Sequence, residues 1–200
     1  MILNVAINIF TFISISIAQS WILVSDQDNI QTFKMEVTNG PIIAFMGKRM
    51  IEAPLDRVLQ FITDEKRSHE WVDRLTKEIR LEQPDNLNYV SYTHISMPLI
   101  LKDREFITAV KIELDKSKQK AFFTMKSINH LLAPKTKYIR GEVVESSFML
   151  ESRNEGKSTF VTGILHADPK GSIPKWVVNL FQKQWARNTI CKLRLAVLKN

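Results

Sequence analysis

Four histidines stand at positions 69, 94, 130 and 166, and imidazole is the side chain most often used for acid–base chemistry or metal binding near neutral pH. They are scattered singly, without the spacing of a metal site, so no metal is expected. Cys191 is the single cysteine, which excludes a disulfide within the chain and any CxxC site. His166 and Asp168 lie two apart on a predicted strand and so share one of its sides. No serine or cysteine nucleophile pattern accompanies them, and no catalytic residue or cofactor is assigned.

The residues with more to say are those expected to face inward. Arg104 shares a strand face with Phe106, Thr108, Val110 and Ile112. An unpaired buried guanidinium costs several kcal/mol, so Arg104 needs an acceptor. That acceptor is either a carboxylate or carbonyl of the protein or the polar head of a ligand. Tyr92 and His94 share a face of the preceding strand, and Phe123 and Met125 belong to the following one. For His94 a hydrogen-bonded wall role stands beside a ligand contact. On the last helix, Ile173, Val177, Leu180, Gln184, Asn188, Cys191, Leu195 and Leu198 form a stripe at spacings of three and four, with Phe181 beside it. Two amides interrupt that stripe at its middle. Buried amides require partners, so Gln184 and Asn188 point either to a cavity or to polar groups within the packing. Apolar walls with a few polar points are the usual anatomy of a small-molecule site.

The elements that must position these residues are legible from periodicity. Trp21–Ser25 and Ile30–Val37 are apolar, β-branched runs around the turn-forming Asp26–Asn29, and Asn39-Gly40-Pro41 turns the chain into a third strand, Ile42–Ile51. Pro54 opens a helix on which Leu55, Val58, Leu59 and Ile62 recur at helical spacing, and a short charged helix carries Trp71 and Leu75. Asn88–Met97, Arg104–Leu114, Lys120–Ile128, Lys137–Arg153 and Ser158–Ala167 read as successive antiparallel strands. Asn154–Lys157 forms the last hairpin. Asp168-Pro169-Lys170-Gly171 stops the sheet, and Ile173–Leu198 has the length and period of one long helix. An α+β domain results, in which a strongly curved antiparallel sheet holds that helix in its concave side and an internal hydrophobic cavity remains between them.

Composition sets the outer limits. The chain has 200 residues, 44% apolar and 24% charged, with a formal charge of +7. That is ordinary for one globular domain, and no repeat or low-complexity segment interrupts it. The positive charge reads either as a solvated surface or as attraction to an anionic membrane face. The basic residues form no run and accompany no nucleic-acid motif, so nucleic acid is not expected as a partner. Residues 1–18 contain no charged side chain, and Ser16-Ile17-Ala18 supplies small residues for cleavage. The expectation is an export signal over 1–18 and a domain over 19–200, placing a monomeric protein in the periplasm or outside the cell. An uncleaved membrane anchor and a buried helix are the alternatives, since the segment lacks a basic start.

Four landmarks, in order, resemble the START (steroidogenic-acute-regulatory-related lipid transfer) domain family: Trp21 before the first hairpin, IEAPLDRVLQFITD followed by Trp71, KDREF with Ile107, and the stretch from Thr159 through ADPKGSIPKW. The resemblance implies a helix-grip fold, a tunnel for one sterol, phospholipid, carotenoid or similar molecule, and a flexible loop over Ser96–Lys102. Met97, Pro98, Leu99, Ile100 and Leu101 of that loop would gate the mouth. One departure matters: where some members carry an acidic residue before this loop, this chain has Thr93, His94 and Ile95. The expected function is therefore binding of one hydrophobic molecule, a lipid or sterol-like compound, for transfer or sequestration, with transient contact to a membrane. The alternative is a helix-grip enzyme of the cyclase, hydrolase or isomerase type, which would need a convergent set of titratable inward residues.

Overall fold

A computed structural model describes residues 20–37, 42–98 and 101–199. The expected leader, the turn at Asn39–Pro41 and the gate residues Leu99 and Ile100 lie outside the described residues.

The described residues open with β1 (Ile22–Gln27) and β2 (Ile30–Met35). Asp28 and Asn29 between them both take positive φ, the backbone of a two-residue hairpin turn that asparagine and aspartate tolerate. After β3 (Ala44–Ile51) come α1 (Leu55–Thr63), a short 3-10 turn and α2 (Ser68–Trp71). The sheet resumes with β4 (Leu75–Glu82), β5 (Asn88–Ile95), β6 (Arg104–Asp115) and β7 (Lys120–Ser127). It continues through β8 (Ile139–Arg140), β9 (Glu142–Arg153) and β10 (Ser158–Asp168) before the long α3 (Lys175–Lys199). Leu75, expected on the second helix, is instead the first residue of β4.

The strands form one sheet in the order β1-β2-β3-β10-β9-β7-β6-β5-β4, with β8 paired to β6 in parallel. Helix α3 lies directly against β2, β3 and β10. Gly47 and Gly163 face each other across β3 and β10 and make this approach possible. A Cβ on Gly47 would stand 2.7 Å from the Ala186 carbonyl oxygen of α3, and one on Gly163 would stand 2.8 Å from the Phe148 ring. The C-terminal half of α3, through Leu193 and Val197, closes a core with Val58 and Phe61 of α1 and Ile51, Phe123, Leu150 and Val161 of the sheet. The N-terminal half meets less of the sheet, and there a space is left.

Both faces of β5 and β6 are covered. The segment 128–138 crosses the outer face and buries Tyr92 and Ile107 at 3% and 1% exposure. Glu105 fastens it: this carboxylate accepts from Tyr92 Oη at 3.0 Å, Thr136 Oγ1 at 2.6 Å and the Arg140 guanidinium at 2.8 and 3.0 Å.

Candidate functional site

Between the sheet and the first turns of α3 lies a cavity of about 220 Å³. The inner residues of β5 (Tyr89, Ser91, Thr93, Ile95), β6 (Phe106, Thr108, Val110), β7 (Phe123, Met125) and β9 (Val143, Ser146, Phe148) line it. Val178, Phe181, Gln182 and Trp185 roof it from α3. Successive strand residues alternate faces, so every second position of β5, β6 and β7 supplies the wall, and β9 adds Ser146 and Phe148 and, across a bulge, Val143. Trp71, Phe148 and Trp185 make an aromatic cluster, with ring centroids 5.7 and 6.4 Å apart along the series.

Of the residues singled out in the sequence, Phe106, Thr108, Val110, Phe123, Met125 and Phe181 stand on this wall, and Met97 borders it. Others do not. Tyr92 and His94 sit on the opposite face of β5, because the pairing Thr93↔Phe106 and His94↔Glu105 turns odd-numbered residues of β5 inward. Arg104 is buried, yet it donates to the carbonyls of Pro169 and Lys170 at 3.0 Å each and to that of Lys102. Of the acceptors open to it, the backbone is the one it uses; its role is to tie β6 to the turn before α3. Gln184 and Leu180 are exposed, Val177 is only half-buried, and none of the three lines the cavity. Asn188 reaches Asp73 at 3.3 Å instead. The true inward face of α3 is rotated by one residue, about 100°, from the predicted stripe. Leu180, Leu195 and Leu198 remain exposed at 44%, 59% and 40%.

The sequence reading missed Gln182, whose Oε1 accepts from the Ala167 N–H at 2.9 Å, and Thr189, whose hydroxyl accepts from the Asp73 N–H at 3.1 Å. Both are polar residues buried because a backbone N–H needs them. It also missed the ionisable groups of the wall. Burial pushes the half-buried Glu78 carboxyl above its usual value. Burial, with Glu78 nearby, pushes the Tyr89 hydroxyl up to about 12. Asp73 is paired with Lys192 at 2.6 Å. Asp168, weighed as an acid–base candidate with His166, accepts from the Lys170 N–H at 2.8 Å and lies 2.7 Å from Lys170 Nζ.

At the mouth, the segment after β5 is held from outside. Asp103 accepts from the Met97 N–H at 2.9 Å and lies 3.1 Å from His94 Nε2. His94 also contacts Thr76 through Nδ1 and packs on Tyr138 with ring centroids 4.1 Å apart. His94 is thus a latch on the loop and no part of the cavity wall. The expected gate is represented here by Met97, Pro98 and Leu101; Met97 alone of these three lines the cavity.

An open sheet gripping one long helix over an apolar hollow is the helix-grip class of domain. The model of the START domain matches residues 16–200, and the chain belongs to that family. An uncharacterised protein of Pseudomonas aeruginosa is 27% identical over 191 residues, covering 92% of this chain and 90% of its own. Human StAR-related lipid transfer protein 5 superposes with a TM-score of 0.82 at 16% identity, over 90% of this chain and 86% of that one. A STAR-related lipid transfer protein from Xanthomonas axonopodis gives 0.77 at 20% identity, over 89% and 98%.

Proposed function

We propose that this protein binds one lipid or similar hydrophobic molecule in the cavity under α3, for transfer or sequestration, and carries out no covalent chemistry on it. The observation that carries this reading is the wall itself: twelve residues of four adjacent strands and one helix face enclose a mainly apolar space. Family membership, and neighbours named as lipid transfer proteins, support it. Exchange with a membrane fits the rim of the mouth. Trp176 is 70% exposed on the first turn of α3, next to Lys175 and one turn before Leu180, while Val178 and Phe181 of the same turns face the cavity. An apolar anchor flanked by positive charge suits brief contact with an anionic surface. Freeing Met97 and Leu101 at the mouth costs less than lifting a 25-residue helix, because far less apolar area is uncovered. With the leader removed, the protein would act as a monomer outside the cytoplasm; amino-terminal sequencing from its own host decides that point.

The test is occupancy. Protein purified from its host is expected to carry one hydrophobic molecule per chain in native mass spectra, and Thr108→Trp, which fills the wall, is expected to lose it while keeping its far-UV spectrum. Unaltered loading of that variant would remove the cavity from the account. One observation favours a second reading: a carboxyl raised by burial beside Tyr89 is the kind of group an acid catalyst needs. Chemical change of an extracted ligand that stops in Glu78→Gln would establish it.

A further inference from the structure

The turn at 130–133, in the segment that crosses the outer face of the sheet, holds two leucines in water. The Ala133 N–H donates to the His130 carbonyl at 3.1 Å, which puts Leu131 and Leu132 at the two corner positions. Glycine, proline, asparagine, aspartate and serine are the usual residues there. Leu131 is 102% exposed, Leu132 63%, and Ile128, on the approach to the turn, 37%. The turn is braced on both sides. His130 Nε2 lies 2.8 Å from Glu82 Oε2, and His130 Nδ1 accepts from the Leu132 N–H at 3.3 Å. Past the turn, Thr136 and Arg140 hold the Glu105 carboxylate. A braced turn that presents adjacent apolar side chains to water, rather than scattering them, is a surface for contact.

Its charge says with what. Between Lys116 and Gly141 the chain has no aspartate or glutamate. Lys126, on the outer face of β7, and Lys135 and Lys137, just beyond the turn, are exposed. None of the three pairs with a carboxylate among the described residues. Lys135 follows Leu132 by three residues, at most about 11 Å of chain, so its ammonium group and the leucine side chains can meet the same surface. We infer that this turn inserts Leu131 and Leu132 into the interface of an anionic lipid bilayer, with Lys126, Lys135 and Lys137 on the headgroups. The inference rests on the reading that the protein exchanges its ligand with a membrane, and adds a second contact, across the sheet from Trp176 on α3.

Projecting side chains favour a lipid surface over a protein. A fluid interface admits them without a matching pocket, and lysines beside them gain from its negative potential. Two copies of this turn would set lysines against lysines. The segment also leads to the mouth: Tyr138 at its end packs on His94 with ring centroids 4.1 Å apart, and His94 latches the loop. Docking the turn therefore brings lipid against the segment whose other end abuts the gate.

The test uses the full chain with Cys191→Ser and an environment-sensitive nitrobenzoxadiazole label on Leu131→Cys. It is mixed with vesicles of phosphatidylcholine alone, or of an equal mixture with phosphatidylglycerol. With the mixed vesicles the label is expected to shift to the blue and brighten several-fold; binding to phosphatidylcholine alone is expected to be at least about tenfold weaker. Without a label, Leu131→Ser combined with Leu132→Ser is expected to weaken sedimentation with the mixed vesicles about tenfold. Lys135→Gln combined with Lys137→Gln should do so by about the same factor at low salt and by much less at high salt. These four side chains are exposed, and circular dichroism verifies the fold. The same label on Trp176→Cys reads the rim contact by itself. A response at 176 without one at 131, unchanged sedimentation of the double leucine variant, or equal binding to the two kinds of vesicle would overturn the inference and leave the rim contact standing. A blue shift at 131 on concentrating the protein without vesicles would assign the turn to a second copy and overturn it too. If the chain sediments with no vesicle, the inference and the proposed membrane contact fail together, while occupancy of the cavity is judged separately by native mass spectra.

Discussion

Replacing Glu105 with alanine should cost the protein about 3 kcal/mol. The carboxylate is buried and accepts from Tyr92, Thr136 and twice from Arg140. Its loss strands the Tyr92 hydroxyl in a residue only 3% exposed, a penalty of about 1–3 kcal/mol. The Arg140 side chain is 40% exposed and can turn to water, so its share is about 1 kcal/mol, well under the 3–5 kcal/mol of a fully buried broken pair. In urea titrations followed by tryptophan fluorescence, the midpoint should fall by roughly 1–1.5 M for a chain of this size. The decisive control is a second change. Adding Tyr92→Phe to Glu105→Ala removes the stranded hydroxyl and should restore about 1 kcal/mol, although Tyr92→Phe alone destabilises. If Glu105→Ala lies within about 0.5 kcal/mol of the parent, or the double variant is weaker than the single, then this carboxylate is not what fastens the 128–138 segment.

Acid titration offers a related check. Burial raises the Glu105 pKa, but hydrogen bonds from Thr136, Arg140 and Tyr92 outweigh it, and the net shift is downward from 4.5. Its stabilisation is therefore complete above about pH 4.5 and lost as pH falls through the folded value, so Glu105→Gln should flatten the acid limb of a stability profile. Glu78 has the opposite sign: with its pKa raised in the fold, ionisation costs stability as pH rises past 4.5, and Glu78→Gln should be more stable than the parent at pH 7. Gly47→Ala should lose about 1–3 kcal/mol in urea titrations, because its Cβ meets a helix carbonyl that cannot step aside without moving α3. His94→Ala should release the loop and speed dissociation of a bound fluorophore in stopped flow by about 5–30-fold, the effect of 1–2 kcal/mol, and an unchanged rate would dismiss the latch.

Strands with one wet face and one dry face announced themselves, and strands dry on both faces did not. Past the crossing 128–138 segment, β6 alternates buried Val110 and Ile112 with exposed Lys111 and Glu113, and there the inward side was legible. On β5, the outer Tyr92 is buried by the 128–138 segment as deeply as the inner Tyr89, so alternation of side-chain type carried no direction. Helix α3 misled in another way. Its inner face hides Gln182 and Thr189 against backbone N–H groups, while Leu180, Leu195 and Trp176 look outward. A count of apolar residues then favours the wrong stripe. Leu75 reads as part of the charged helix before it because Thr76–Glu82 is rich in lysine, glutamate and arginine, and pairing with β5 overrides that local preference.

The strand order has a consequence for how the molecule is made. The first hairpin and β3 join the rest of the sheet only through β10, which leaves the ribosome about a hundred residues later, roughly 5–20 s at ordinary rates of synthesis. During that interval β4 to β7 can pair with their chain neighbours, but β3 lacks its long-range partner and the core lacks α3, which is translated after β10. The finished cavity is therefore a late event of folding, formed only once α3 has been translated, and a bound molecule would enter either at that moment or through the mouth afterwards.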